Sequence, residues 1–154
     1  MDADKNRLEL DELTSKIIAC VYTVSNALGA GFLEKVYENA LVFELISAGL
    51  IVSQQHAIKV NYKNISVGEY TADILVDNLV MLELKAISGL DNNHHAQCMN
   101  YLKATNLSIC LLINFGKPKV EIKRIVNNFW RIYLFLSALI RVHRRLTKLL
   151  NGAK

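Results

Sequence analysis

The stretch "VMLELKAI", residues 80–87, places an acid and a base inside an otherwise apolar β-strand. Side chains two positions apart in a strand lie on the same face, so Glu83 and Lys85 are predicted to point the same way. Taken alone, this spacing also describes the solvent-facing side of an ordinary half-exposed strand. The neighbouring segments decide whether the pair is more than that.

A second carboxylate, Asp73, lies on the preceding predicted strand, in "EYTADILV". Two carboxylates on paired strands, together with a backbone carbonyl, suit a hard divalent cation such as Mg²⁺, with Mn²⁺ as a substitute. A lysine one pleat further along could hold the attacking water or stabilise charge in the transition state. These residue types favour metal-assisted hydrolysis of a phosphodiester.

The two carboxylates can cooperate only if the strands pair in the right register. A two-residue turn would pair Asp73 with Leu82, which would put Asp73 and Glu83 on opposite faces. Direct pairing of the two acids requires a three-residue loop, Asp77 to Leu79, or a β-bulge. We predict one of these.

Two predicted helices carry further polar residues. In "HAQCMNYLKA", Gln97 and Tyr101 are four apart and share a helix face, with His94 three positions before Gln97. The tyrosine could equally pack in the core with the glutamine solvated. In "GFLEKVYENA", Glu34 lies in the first turn of a helix, where it complements the helix dipole or supplies a third carboxylate for the metal.

The periodicity of apolar residues predicts helices and strands that could hold these groups together. The predicted helices are 9–28, 33–48, 93–105 and a segment from 128 onward, and the predicted strands are 56–62, 65–76, 80–87, 107–115 and 120–126. The order predicts an α/β protein with a mixed β-sheet flanked by helices. We see no sign of a second globular domain.

Composition is consistent with a cytoplasmic globular protein. The chain has 154 residues and 52% hydrophobic residues, enough for one domain with a sizeable core. The polar, acidic N-terminus is unlike a signal peptide. Three scattered cysteines, Cys20, Cys98 and Cys110, indicate reduced core thiols and a cytoplasmic location.

Charge divides the chain unevenly. Up to Glu121 there are 10 basic and 14 acidic residues, whereas the rest has 8 basic residues and no acid. Residues 127–154 are predicted to be a basic, amphipathic helical extension. Three roles are predicted for it, in this order of preference. The first is packing on the domain or forming a homodimer, the second is binding a phosphate backbone, and the third is contacting a membrane surface. Its apolar run is too short to span a bilayer.

Three separated motifs together resemble a known family. "GFLEKVY" fits the Gly-x-x-Glu-x-x-Tyr signature of the GxxExxY proteins, and "ADILVDNLVMLELKA" and "HAQCMNYLKATNLSICLLINFG" are also similar to that family. The family is placed in the PD-(D/E)XK nuclease superfamily, which includes restriction endonucleases and RecB-like nucleases. The resemblance spans about residues 9–126, which form the predicted nuclease-like domain 1–126.

The resemblance implies roles for the residues already noted. Asp73 and Glu83 match the metal-binding acids of the superfamily, and Lys85 matches its catalytic lysine. Glu34 matches the helical glutamate of the family and would assist at the metal. The implied fold is a restriction-endonuclease-like mixed β-sheet flanked by helices, with the C-terminal helix as an addition.

Gln97 and Tyr101 match the Gln-x-x-x-Tyr motif of the RecB-like branch. The implied activity is a Mg²⁺-dependent nuclease, with nucleic acid as its partner and DNA favoured over RNA. The alternative is a non-catalytic module of the same fold that binds nucleic acid or protein. Stable insertion into a membrane is not expected.

Overall fold

The computed structural model describes residues 2–127, with side chains described from residue 5. Three helices and five strands lie in this part of the chain: α1 (Asp2–Leu28), α2 (Glu34–Ser47), β1 (Val52–Tyr62), β2 (Ile65–Val76), β3 (Val80–Lys85), α3 (Asn92–Thr105), β4 (Ile109–Asn114) and β5 (Glu121–Val126). The strands form one sheet in the order β1-β2-β3-β4-β5.

The sheet is mixed, as predicted. β3 and β4 are parallel and joined through α3, whereas the other neighbouring strands are antiparallel. β1 and β2 are joined by a two-residue turn in which Lys63 and Asn64 have φ values of 49° and 65°. Such a left-handed pair is typical of a type I′ turn, whose twist matches that of the strands.

Helices cover both faces of the sheet. α1 and α2 pack on one face, where alternate β3 residues Val80, Leu82 and Leu84 are buried. α3 packs on the other face, where Met81 and its neighbours on β4 form a second core cluster. The strands at the centre are therefore apolar on both sides, and any charged side chain there needs a partner.

Local sequence explains the helix ends. α2 ends at Ser47, and Gly49, just after the C-cap residue, has φ +80°. The backbone N–H of Leu50 donates to the carbonyl of Leu45 at 3.1 Å. This is the Schellman arrangement that glycine favours. α3 begins after Asp91, whose carboxylate accepts hydrogen bonds from the backbone N–H groups of Asn93 and His94.

One helix, α1, and one strand, β1, begin earlier than the periodicity predicts. α1 begins at Asp2, and its first two turns were not predicted because they are polar and show no apolar repeat. β1 begins at Val52, four residues before the predicted start. The pleat of β1 is interrupted at Gln55, which has φ 51°, so the alternation that signals a strand is hidden there.

The three cysteines are buried and unpaired, as predicted for core thiols. Among the described residues, no helix combines the length and the apolar character that crossing a membrane requires. Residues 128–154 lie outside the described part of the chain. The helical extension, its packing and the homodimer through it therefore remain predictions.

Candidate functional site

The connection between β2 and β3 brings the two predicted metal-binding acids opposite each other. Val76 pairs with Val80 across a three-residue loop, and the register continues to Ile74 opposite Leu82. The next positions in this register are Asp73 and Glu83. The prediction of a three-residue loop is therefore confirmed.

The strands separate immediately beyond this point. Pairing of β2 with β3 ends at Ile74, and the Asp73 side chain replaces the backbone ladder: its Oδ2 accepts a hydrogen bond from the Leu84 N–H at 2.7 Å. The Asp73 carboxylate is thereby held against β3, beside Glu83. This opening between the strands is the place where a ligand can approach both acids.

A change of pleat occurs in β2 at Asp73 itself. Side chains two apart normally share a face, yet Ala72 packs in the cluster under α3 and Ile74 in the cluster under α1 and α2. Gln55, at the facing position of β1, has φ 51°, a left-handed conformation that costs about 1 kcal/mol for a residue with a Cβ atom. Backbone distortion of this kind clusters at functional sites.

Glu83 and Lys85 share a face, as their spacing predicts. Lys85 Nζ donates to Glu83 Oε1 at 2.7 Å, and Glu83 is only 2% exposed. The other carboxylate oxygen, Oε2, is buried and has no hydrogen-bond partner among the described residues. A buried, unsatisfied carboxylate oxygen is uncommon in proteins and indicates a position prepared for a ligand.

Burial raises the pKa of Glu83 to about 7, and the neighbouring charge of Asp73 adds to this effect, while Lys85 opposes it. Burial also raises the pKa of Asp73, against the hydrogen bond from Leu84. For Lys85, burial alone would lower the pKa, but the hydrogen bond and charge of Glu83 outweigh it and the net shift is upward. Lys85 therefore carries a positive charge at neutral pH.

Replacing Glu83 by glutamine is expected to stabilise the metal-free protein above pH 7. The folded-state pKa of about 7 exceeds the ordinary value of 4.5, so ionisation of Glu83 weakens folding as pH rises between these values, and the penalty is complete above them. The variant lacks this penalty, so its free energy of unfolding near pH 8 should exceed that of the wild type by up to about 3 kcal/mol.

Urea unfolding of both proteins, with metal chelated, measures this difference. Near pH 4 Glu83 is protonated in the folded state and largely protonated in the unfolded state, so the two proteins should differ much less. A stability difference that is the same at both pH values would contradict the shifted pKa.

Glu34 lies in the first turn of α2, near the end of β3 that carries Lys85. Its carboxylate accepts a hydrogen bond from the backbone of Ala86, and its charge acts on both Lys85 and Asp73. Burial raises its pKa. The structure therefore brings Glu34 to the site, as the sequence predicts, although its role as a metal ligand remains a proposal.

The glycine and tyrosine of the "GFLEKVY" motif position Glu34. Gly31 has φ +116°, which lets the chain turn sharply into α2. The Tyr37 hydroxyl donates to the Gly29 carbonyl at 2.7 Å and accepts from the Phe32 N–H at 3.2 Å. Tyr37 is buried and its ring stacks on that of Phe115. The tyrosine therefore anchors the loop that precedes α2.

Gln97 and Tyr101 lie together on the inner face of α3. Gln97 Nε2 donates to the Tyr101 hydroxyl at 2.6 Å, and that hydroxyl donates to the Thr71 carbonyl at 3.3 Å. Burial raises the pKa of Tyr101, as do the charges of Glu83 and Asp73, while the Gln97 hydrogen bond lowers it. The charges of both acids act on Tyr101, so the pair lies near them, and its part in the site remains a prediction.

His94 does not join this pair. Its Nδ1 accepts a hydrogen bond from the Asp91 backbone N–H at 3.0 Å, which closes a capping box at the start of α3. The i−3 spacing from Gln97 suggested a shared polar face, but the capping contact holds the imidazole at the helix end.

A second group of polar residues was missed in the sequence. Glu38, only 3% exposed, accepts hydrogen bonds from Lys35, Gln54 and Gln55 at 2.7 to 2.9 Å. Gln55 Nε2 lies 3.5 Å from Asp73 Oδ1. These hydrogen bonds outweigh the effect of burial and lower the pKa of Glu38. A sequence signal existed, because Glu38 is an acid on the otherwise buried face of α2.

Asn114 was also missed because it ends a strand that reads as fully apolar. Its side chain is fully buried, and its Oδ1 accepts from the N–H groups of Ile87 and Gly116 while its Nδ2 donates to the Ile87 carbonyl. A Cβ atom on Gly116 would lie 2.2 Å from the Ile87 oxygen. Asn114 and Gly116 therefore hold together the loops that follow β3 and β4.

The residues present fit a divalent cation in their chemistry. Asp73 and Glu83 supply carboxylate oxygens, and Glu83 Oε2 is buried without a partner in the described part of the chain. Within residues 2–127, however, no three His, Cys, Asp or Glu side chains are gathered closely enough to hold an ion by themselves. The fit therefore rests on two acids, with water, backbone or substrate oxygens completing the coordination.

A solved structure with a similar chain path is that of an alkaline exonuclease from Laribacter hongkongensis, with 16% sequence identity and a TM-score of 0.47 over 78% of this chain and 73% of the exonuclease. No curated protein sequence matches this chain significantly. A family model described as the PD-(D/E)XK nuclease superfamily matches residues 11–125. This match covers most of the chain, and the chain belongs to the PD-(D/E)XK nuclease superfamily.

Proposed function

We propose that this protein is a nuclease that hydrolyses phosphodiester bonds of nucleic acid, DNA in preference to RNA, with Mg²⁺ or Mn²⁺ as cofactor. One observation carries the proposal: Asp73, Glu83 and Lys85 converge where β2 and β3 separate, with a buried carboxylate oxygen left without a partner among the described residues. The narrower assignment to the GxxExxY proteins and the RecB-like branch, and a cytoplasmic location, belong to the same proposal.

Each residue has a distinct task in this proposal. Asp73 and Glu83 hold the metal, with Glu34 assisting from α2. A bound divalent cation would offset phosphate charge and lower the pKa of the attacking water. Lys85 is charged at neutral pH, so it stabilises negative charge on the phosphate and does not act as a base.

Gln97 and Tyr101 orient the lysine or the substrate from α3. The Tyr101 hydroxyl is held by its hydrogen bond to Thr71, and Gln97 donates to it. Because the single Tyr101 proton goes to Thr71, Tyr101 fixes the Gln97 amide, and the second N–H of Gln97 Nε2 is the group of this pair that would donate to the substrate. A fixed donor of this kind costs no reorganisation when charge develops on the substrate. Burial of the Glu83 carboxylate keeps water away from the ion pair with Lys85 and strengthens that interaction.

The ion pair between Lys85 and Glu83 favours one alternative. It neutralises Glu83 without a metal, as expected for a non-catalytic module of the same fold that binds nucleic acid or protein. In the nuclease, the metal would bind Oε2, which has no partner among the described residues, while Lys85 stays on Oε1.

A cleavage assay tests the proposal. End-labelled single-stranded DNA, duplex DNA and RNA are incubated with the protein and Mg²⁺, Mn²⁺ or a chelator. Cleavage of DNA is expected with either metal and not with the chelator, and the Glu83→Gln variant should be inactive. Binding without cleavage of any substrate would support the non-catalytic module.

A further inference from the structure

The β1–β2 hairpin extends beyond the rest of the sheet. β2 pairs with β3 only from Ile74 to Val76, so residues 57–70 form a two-stranded ribbon without a third strand among those described. The ribbon begins next to Asp73. A nucleic-acid strand that leaves the candidate site on this side therefore meets the ribbon first.

One face of the ribbon is apolar and aromatic. Ile58 and Tyr70 are paired across the strands, and so are Tyr62 and Ile65. Ile58 is buried in the cluster under α3, but Tyr62, Ile65 and Tyr70 are 62%, 67% and 52% exposed. The apolar face of the sheet therefore continues past the cover that α3 provides.

This face is continuous with the candidate site. The rings of Tyr70 and Tyr101 have centroids 6.0 Å apart. The Tyr101 hydroxyl, which accepts from Gln97, donates to the carbonyl of Thr71 on the ribbon. The exposed Tyr70 ring is thus fixed beside the glutamine and tyrosine that border the acids.

The ribbon also carries positive charge. Lys63 Nζ lies 5.4 Å from the centre of the Tyr62 ring. The one acid between residues 57 and 70, Glu69, is paired with Lys59, and this pair alternates with Ile58 and Tyr70, so it lies on the opposite face. The aromatic face therefore has a cation beside one ring and no acid from residues 57–70, on a chain whose first 121 residues have more acids than bases.

We propose that this ribbon face binds the single-stranded part of a nucleic acid, with bases stacked on Tyr62 and Tyr70 and a phosphate held by Lys63. Exposed rings stack on any base, and the two rings are about 13 Å apart along the strands. In a duplex the base faces are covered by their neighbours, so these rings would find no partner. The inference rests on the proposed function, because it assigns the strand that flanks the scissile bond.

The test measures binding without cleavage. Anisotropy of a fluorescent single-stranded oligonucleotide is recorded with the full-length protein and Ca²⁺ in place of Mg²⁺. Tyr62→Ala and Tyr70→Ala should each weaken binding about tenfold, and phenylalanine at either position should restore most of it. Tyr22→Ala, at an exposed tyrosine on α1 across the sheet, is the matched control and should bind as the wild type does.

Two further measurements distinguish the loss of base stacking from the loss of a charge and from a loss of folding. Lys63→Ala should lower the salt dependence of binding by about one ion, and duplex binding should be unaffected by the tyrosine changes. Tyr62 is near the hairpin turn, so its variant should keep the circular dichroism spectrum and melting temperature of the wild type. This keeps the test valid if Tyr70→Ala unfolds.

The inference is overturned if the wild type does not bind single strands, if Tyr62→Ala binds as tightly as the wild type, or if duplex binding falls equally. Tyrosine-dependent binding without metal-dependent cleavage would support the ribbon site and sink the proposed nuclease. Metal-dependent cleavage that is unchanged in both tyrosine variants would support the proposed nuclease and overturn the ribbon site.

Discussion

Replacing Asp73 by asparagine is expected to abolish metal binding and to reduce cleavage at least about a thousandfold, since the metal supplies several kcal/mol of transition-state stabilisation. Asparagine keeps an oxygen that can accept the Leu84 N–H, so the local backbone should be preserved. What the variant loses is the negative charge that would balance a divalent cation.

Asp77 offers a matched control on the same hairpin. Its Oδ1 accepts from the Ile51 N–H at 2.8 Å, a contact comparable to that of Asp73, but it lies in the β2–β3 loop away from the acids. Asp77→Asn should bind metal and cleave as the wild type does. A change in both variants would point to the fold and not to a ligand.

Isothermal titration of Mg²⁺ and Mn²⁺ into the wild type and both variants measures the effect. If Asp73→Asn binds metal as tightly as the wild type, Asp73 is not a ligand. If the wild type itself does not bind at millimolar metal, the titration is repeated with oligonucleotide present, and continued absence of binding would favour the non-catalytic module.

Lys85→Met is expected to lower the cleavage rate by about a hundredfold or more while leaving metal binding intact. The lysine donates to Glu83 Oε1, so its removal frees that oxygen, and metal affinity should stay the same or rise. Without metal the variant should be less stable, because a buried carboxylate loses its partner. Loss of activity with retained metal binding would distinguish a catalytic lysine from a merely structural one.

Lys35→Met is the matched control for this change. Lys35 pairs with the buried Glu38 at the same 2.7 Å, so its removal also strips a buried glutamate of its lysine. Cleavage by this variant should fall far less than by Lys85→Met. Equal losses would show that general destabilisation, and not the chemistry of Lys85, explains the effect. Unfolded Lys85→Met protein in saturating Mg²⁺ would make the lysine structural.

The spacing of residues along single elements was enough to predict much of the candidate site. Glu83 and Lys85 share a face because side chains alternate in any strand, and Gln97 and Tyr101 meet because residues four apart are neighbours on any helix. The three-residue loop could be predicted because only the register that places Asp73 opposite Glu83 puts both carboxylates on one face of the hairpin. Alternation and helical periodicity also predicted the mixed sheet and most element bounds.

Other features depend on contacts between elements distant in sequence. Glu38 on α2 meets Gln55 on β1, and Asn114 at the end of β4 meets Ile87 in the loop after β3. The left-handed backbone of Gln55 interrupts the alternation of side chains, so the first residues of β1 were not predicted as strand. The expectation that His94 would join Gln97 and Tyr101 was wrong, because a local capping contact holds its side chain at the start of α3.

The sequence by itself therefore determined which acids and which lysine face each other, because short-range geometry settles that question. Only the tertiary structure decided how deeply Glu83 is buried, that Lys85 neutralises it, and that one carboxylate oxygen has no partner among the described residues. Burial and charge depend on everything that packs around a residue, and α2 and α3 reach this site from other parts of the chain. The pKa of Glu83 and the exposure of Tyr62 and Tyr70 belong to the same class of property.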